Sequence, residues 1–105
     1  MGKPDTRRLD KAIRQTERKL EAVRNREMWP LQGSERRAIL RAAAGGAYSL
    51  HQGNGTARAD QRMDTTWQSA ETRLVTEIAA LKTERQRIVT EAATAKAAKK
   101  SSGWW

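Results

Sequence analysis

From Thr65 to Lys100 the large apolar residues fall at a seven-residue step: Trp67, Leu74, Leu81 and Ile88, followed by Ala95. Ile78 and Ala92 take intermediate seam positions, and Val75 and Val89 widen the stripe. Repeats of three and four residues place side chains on one face of an α-helix. No Pro or Gly interrupts the run before Gly103. The spacing predicts one helix of ~36 residues, roughly 54 Å long at the α-helical rise. Such a helix cannot bury its stripe alone, so it requires a partner helix.

The material available for that partner is limited. The 105-residue chain has no Phe and only fourteen Leu, Ile and Val residues together. So low a content with high net charge is the composition of a disordered chain. Periodicity argues against disorder, but the core must be thin. Elongated helices packed along seams, completed by self-association, satisfy both constraints. The absence of cysteine excludes disulfides, thiol catalysis and zinc–thiolate sites. No apolar run approaches the ~18–20 residues of a membrane span, and no secretory signal is visible. A cytoplasmic protein is expected. The wealth of Arg, Ala, Thr and Gly points to a GC-rich bacterial or phage genome.

Two further helices are legible. Residues 6–29 carry Leu9, Ala12, Ile13, Thr16, Leu20 and Val23 at helical spacing, with Asp5 or Thr6 to cap the first turn. Pro30 removes a donor and disfavours helix at Trp29, so the first helix is expected to reach Trp29. Trp29 to Gly33 reads as a turn with an apolar plug. Ser34 looks like an N-cap and Glu35 suits the first turn of a helix over 34–51, with Ile39, Leu40, Ala43, Ala47 and Leu50 as its apolar face. Gly45 and Gly46 each cost up to ~1 kcal/mol inside a helix. Either the helix weakens there or another backbone packs closely against the pair. Gln52 to Thr56 is the clearest loop. The third helix starts between Ala57 and Asp64, taken as about residue 60, and runs to about 100, leaving 101–105 as a flexible tail.

The expected fold is all-α, one helical domain over residues 1–100. An antiparallel, coiled-coil-like hairpin of the first and third helices is completed by the shorter middle helix into a three-helix bundle. The third helix outlasts the first, so Ile88, Val89 and the Ala-rich end stay uncovered unless the second helix or another subunit lies there. A homodimer is expected.

The formal charge is +9, with an isoelectric point near 10.9. That balance favours polyanionic partners. Residues 1–29 carry nine basic and five acidic side chains, and residues 30–63 carry five and two. On a helical wheel Arg7, Lys11, Arg14 and Arg18 form a stripe opposite the apolar seam of the first helix. Arg36, Arg37 and Arg41 extend the basic surface from the second. A helix with several unpaired cations on one face can track a phosphate backbone, although a solvated outer face has the same pattern. These seven residues are the expected nucleic-acid contacts of a small, non-enzymatic accessory or regulatory factor binding DNA or RNA.

The alternative is a protein–protein adaptor or phage assembly component. It would act through Trp67, Leu74, Leu81 and Ile88 of the long-helix seam and through Trp104 and Trp105. A membrane surface, resting on Lys99, Lys100 and the terminal Trp pair, is the least supported partner. Glu71 and Arg85 fall in the apolar seam, where placed ions can set register. His51, the only histidine, borders the glycine-rich loop. No catalytic order, metal spacing or phosphate loop is present, so no cofactor or metal is expected. A helix-turn-helix is disfavoured, because loop residues from His51 to Gly55 would have to form its recognition helix. A hairpin of this length resembles, in shape alone, the secreted hairpins that carry Trp-x-Gly in their turn. Here the turn reads Trp29-Pro30-Leu31-Gln32-Gly33 and the charge is strongly basic, so the chain is not assigned to them.

Overall fold

The computed structural model describes residues 4–102. Three helices account for it: α1 (Arg7–Arg24), α2 (Gly33–His51) and α3 (Ala57–Ser102). No strand occurs among the described residues. The helix contacts fit a bundle drawn out into a rod of 84 × 18 × 18 Å.

Local chemistry explains each boundary. At the start of α1, the Asp5 carboxylate accepts the Arg7 N–H at 3.2 Å, and the Thr6 hydroxyl donates to Asp10 Oδ2 at 2.9 Å. The start of α3 repeats the second device, with the Thr56 hydroxyl donating to Asp60 Oδ2 at 2.9 Å. That places the start of α3 at Ala57, the early end of the expected range. The N-cap of α2 is Gln32 rather than Ser34; its N–H donates to Glu35 Oε1 at 2.8 Å.

The first helix stops at Arg24, five residues before the expected end. Arg26 adopts a left-handed φ of 62°. Its N–H donates to the Val23 carbonyl at 2.9 Å, and the Glu27 N–H donates to that of Ala22 at 2.8 Å. This pair of bonds is a Schellman cap, usually built on glycine. The end of α2 uses the same motif with the usual residue. Gly53, at φ 79°, donates to Leu50, and Asn54 donates to Ser49. At Arg26 tertiary contacts hold the strained residue: its guanidinium lies 5.5 Å from the Trp67 ring centroid and donates to Asp64 at 3.0 Å. The loop that follows plugs the core with Pro30 and Leu31, both buried, whereas Trp29 is exposed.

Helices α1 and α2 both pack on α3. Asp10 meets Arg85, Glu17 meets Lys82 and Arg24 meets Glu71, so α1 runs antiparallel along the middle and C-terminal part of α3. Glu35 meets Arg73, and Gly46 lies against Ala59, so α2 runs antiparallel along the N-terminal part. The middle helix therefore does not cover the overhang. Ile88 and Val89 are half-buried, and residues 93–100 are exposed.

All three helices meet at one place. Leu20 and Val23 of α1, Leu31 of the loop and Ile39 of α2 close on Trp67, Ala70, Leu74 and Ile78 of α3. Val23 and Leu74 are fully buried there. This is the thin core that the composition allows. The glycine pair resolves asymmetrically. α2 is continuous through it; Gly46 is buried, and a Cβ there would stand 3.2 Å from Ala59 Cβ, whereas one on Gly45 would meet open space. Gly46 thus lets α2 and α3 approach closely.

The buried face of α2 is Ile39, Ala42 and Gly46. Leu40 and Leu50 remain 56% and 63% exposed, and Ala43 and Ala47 are exposed as well. Four of the five residues expected to face the core instead form an outer apolar flank.

Candidate polyanion interface

Ion pairs sort the charges into two populations. In the middle of the rod, cations are paired across helices. Arg73 grips Glu35 with two hydrogen bonds of 3.0 and 3.1 Å. Burial pushes the Glu35 carboxyl up, but the Arg73 bonds and the Gln32 N–H outweigh it and hold the group below the usual carboxylate range. Arg24 holds Glu71 at 3.1 Å, and Arg26 holds Asp64 at 3.0 Å. Toward the C-terminal half, Arg85 donates to Asp10 at 2.6 Å. That bond, with the Thr6 hydroxyl second, draws the Asp10 carboxyl below its ordinary value. The two ions placed in the seam, Glu71 and Arg85, both pair with α1, in partly exposed positions.

The second population makes no direct ion pair, although the Arg14 charge helps hold the Asp10 carboxyl low. Among the described residues, Lys11, Arg14, Arg18, Arg37, Arg41, Arg58 and Arg62 form no ion pair. Arg7 pairs only with Asp5, at 3.4 Å and in full solvent exposure, where such a pair contributes little. Arg36 reaches the Met28 carbonyl at 3.5 Å.

These cations form two patches rather than one continuous surface. Arg7, Lys11 and Arg14 of α1 line a groove with Lys82 and Gln86 of α3, and the Asp10–Arg85 pair lies in the same groove. Arg18 continues the outer face of α1. Arg41 of α2 lines a second groove with Arg58 and Arg62 of α3. Lys82 and Arg62 lie twenty residues apart on one straight helix, about 30 Å at 1.5 Å per residue. Arg37 falls on the Arg41 side of the α2 wheel, and Arg36 falls on the apolar flank beside Leu40.

Arg58 and Arg62 were not among the residues expected from sequence. Their i, i+4 spacing marks one helical face, but only a helix beginning at Ala57 makes that spacing meaningful. The expected partner residues also separate. Trp67 and Leu74 are buried in the chain's own core, and Leu81 and Ile88 are half-buried along it. Trp104 and Trp105 lie outside the described residues. His51 is exposed at the last turn of α2. No group of three or more potential metal-ligating side chains converges among the described residues. No helix described is long and apolar enough to cross a membrane.

No protein-family model, curated protein or solved structure matches the chain.

Proposed function

We propose that this chain is a small, non-enzymatic accessory factor that binds nucleic acid through its two basic patches. The observation that carries the reading is the sorting of charge. Carboxylates along the helix seams are taken up by Arg24, Arg26, Arg73 and Arg85, while Lys11, Arg14, Arg18, Arg41, Arg58 and Arg62 remain exposed and unpaired beside two grooves. Cations on rigid helices that no internal anion neutralises are the arrangement phosphate contacts require. Phosphate contacts carry no sequence information, so binding is expected to be only weakly sequence-specific.

Fluorescence anisotropy with labelled DNA and RNA across a salt series tests the proposal. If all six cations neutralise phosphates, log affinity falls against log salt with a slope of roughly −4 to −5. Raising salt from about 50 to 200 mM then weakens binding several-hundredfold or more. Absence of binding at low salt refutes the reading.

One observation favours a second reading, a protein partner or a second copy of the chain. The flank of α2 that carries Leu40, Ala43, Ala47 and Leu50 is an exposed apolar stripe at the spacing of a helix-packing seam. That flank, rather than the long-helix seam, is where such a partner would dock.

A further inference from the structure

We infer that the groove between α2 and α3 binds the backbone of a single nucleic-acid strand, with Tyr48 as the surface on which a base stacks; this rests on the nucleic-acid reading above. Arg41, Arg58, Gln61, Arg62, Thr65 and Thr66 line the groove, and no carboxylate lines it. The carboxylates of this stretch of α3, Asp60 and Asp64, fall a third to a half turn around the helix from Arg58 and Arg62. They are engaged elsewhere, Asp60 with Thr56 and Asp64 with Arg26. The field in the groove is therefore set by three guanidinium groups.

The donors can be assigned. The Thr65 and Thr66 hydroxyls already donate to the Gln61 and Arg62 carbonyls, at 2.8 and 2.9 Å. Protons for phosphate oxygens thus come from the three arginines and the Gln61 amide. Guanidinium groups suit this role, because their planar fork matches two oxygens of one phosphate.

Tyr48 selects a single strand over a duplex. Its side chain is 67% exposed, the most of any large hydrophobic residue described. On the α2 wheel Arg37, Arg41 and Tyr48 lie within about 40° of one another, and Tyr48 sits roughly 10 Å along the axis from Arg41. Tyr48 does not line the groove itself, but a ring on the Arg41 face of α2 offers a strand leaving the groove a surface for an unpaired base. Bases inside a duplex cannot use it. The α1 groove, by contrast, has the Asp10 carboxylate among its lining residues, and α1 carries no aromatic residue.

The test compares anisotropy of labelled oligothymidine of ~12 nucleotides with a duplex of the same length, at low salt. Wild-type protein is expected to bind the single strand more tightly. Tyr48→Ala should weaken single-strand binding roughly 5- to 150-fold, the range for losing one base–aromatic stack, and Tyr48→Phe should restore it. The double variant Arg58→Gln/Arg62→Gln should make the salt slope shallower by ~1.4, two phosphates on a single strand. All these side chains are exposed, and unchanged circular dichroism confirms the fold.

If wild-type protein binds neither probe, this inference and the broader reading fall together. The inference alone falls if the duplex is preferred, or if Tyr48→Ala binds like wild type. It falls equally if Lys11→Gln/Arg14→Gln abolishes single-strand binding while Arg58→Gln/Arg62→Gln leaves it intact.

Discussion

The two adjacent glycines of α2 allow a differential measurement of how closely α2 and α3 approach. Both lie in the interior of the same helix, so replacing either with alanine brings the same helix-propensity gain, about 0.8–1 kcal/mol. Their surroundings differ. A Cβ on Gly45 meets nothing within 4 Å, whereas one on Gly46 lies 3.2 Å from Ala59 Cβ and 3.8 Å from Thr56 Cγ2. Gly45→Ala should therefore stabilise the protein by nearly the full gain, raising the thermal midpoint by ~4–8 °C for a domain of this size. Gly46→Ala must push α3 away by a few tenths of an ångström, and should fall at least about 0.5 kcal/mol short of Gly45→Ala. Gly46→Leu overpacks the contact and should cost ~1–3 kcal/mol. Urea unfolding followed by far-ultraviolet circular dichroism reads all three, with an unchanged m-value to confirm that only stability moved. Equal stabilisation by Gly45→Ala and Gly46→Ala would refute the close approach, and with it the shape of the basic groove those helices form.

Three further outcomes follow from the same geometry. Arg26→Ala keeps the left-handed backbone but removes the Trp67 and Asp64 contacts, while Arg26→Gly relaxes the backbone as well; the glycine variant should be the more stable by about 1 kcal/mol in urea unfolding. The folded-state pKa of Glu35 is held below its ordinary value of 4.5, so its stabilisation is present above that value and is lost as pH falls through the lower folded one. Acid titration of the urea midpoint below pH ~4.5 should thus show a smaller decline in Glu35→Gln than in wild type. If α2 docks a second copy, Leu40→Lys with Leu50→Lys should shift sedimentation velocity from dimer to monomer without loss of helix. A wild-type protein that is monomeric at high concentration removes that role.

Much of the architecture was legible in the residues. The seven-residue step from Trp67 to Ile88 and its freedom from Pro and Gly required one long helix, and α3 is that helix. Gln52 to Thr56 held turn-forming residues and is a turn. The thinness of the apolar inventory required a rod rather than a globule. Ions were legible in the seam at Glu71 and Arg85, and Arg24 and Asp10 of α1 pair with them.

Other features had no local signature. A helix end is readable when glycine occupies the left-handed position, as Gly53 does. Arg26 takes that position only because Trp67 and Asp64, about forty residues away, stabilise its side chain. The buried face of α2 was ambiguous because apolar and small residues occupy most of its circumference, from Ile39 through Ala47. Packing chose Ile39, Ala42 and Gly46, the side on which a glycine admits the neighbouring backbone, and left the two leucines outside. Which cations share a groove was likewise a tertiary result. Arg41 lies well apart in sequence from Arg58 and Arg62, and an antiparallel turn of chain brings them face to face. Periodicity and punctuation are local properties and are written in the residues. The choice among apolar faces, and the pairing of charges across them, depends on which helices meet, and only the packed chain settles that.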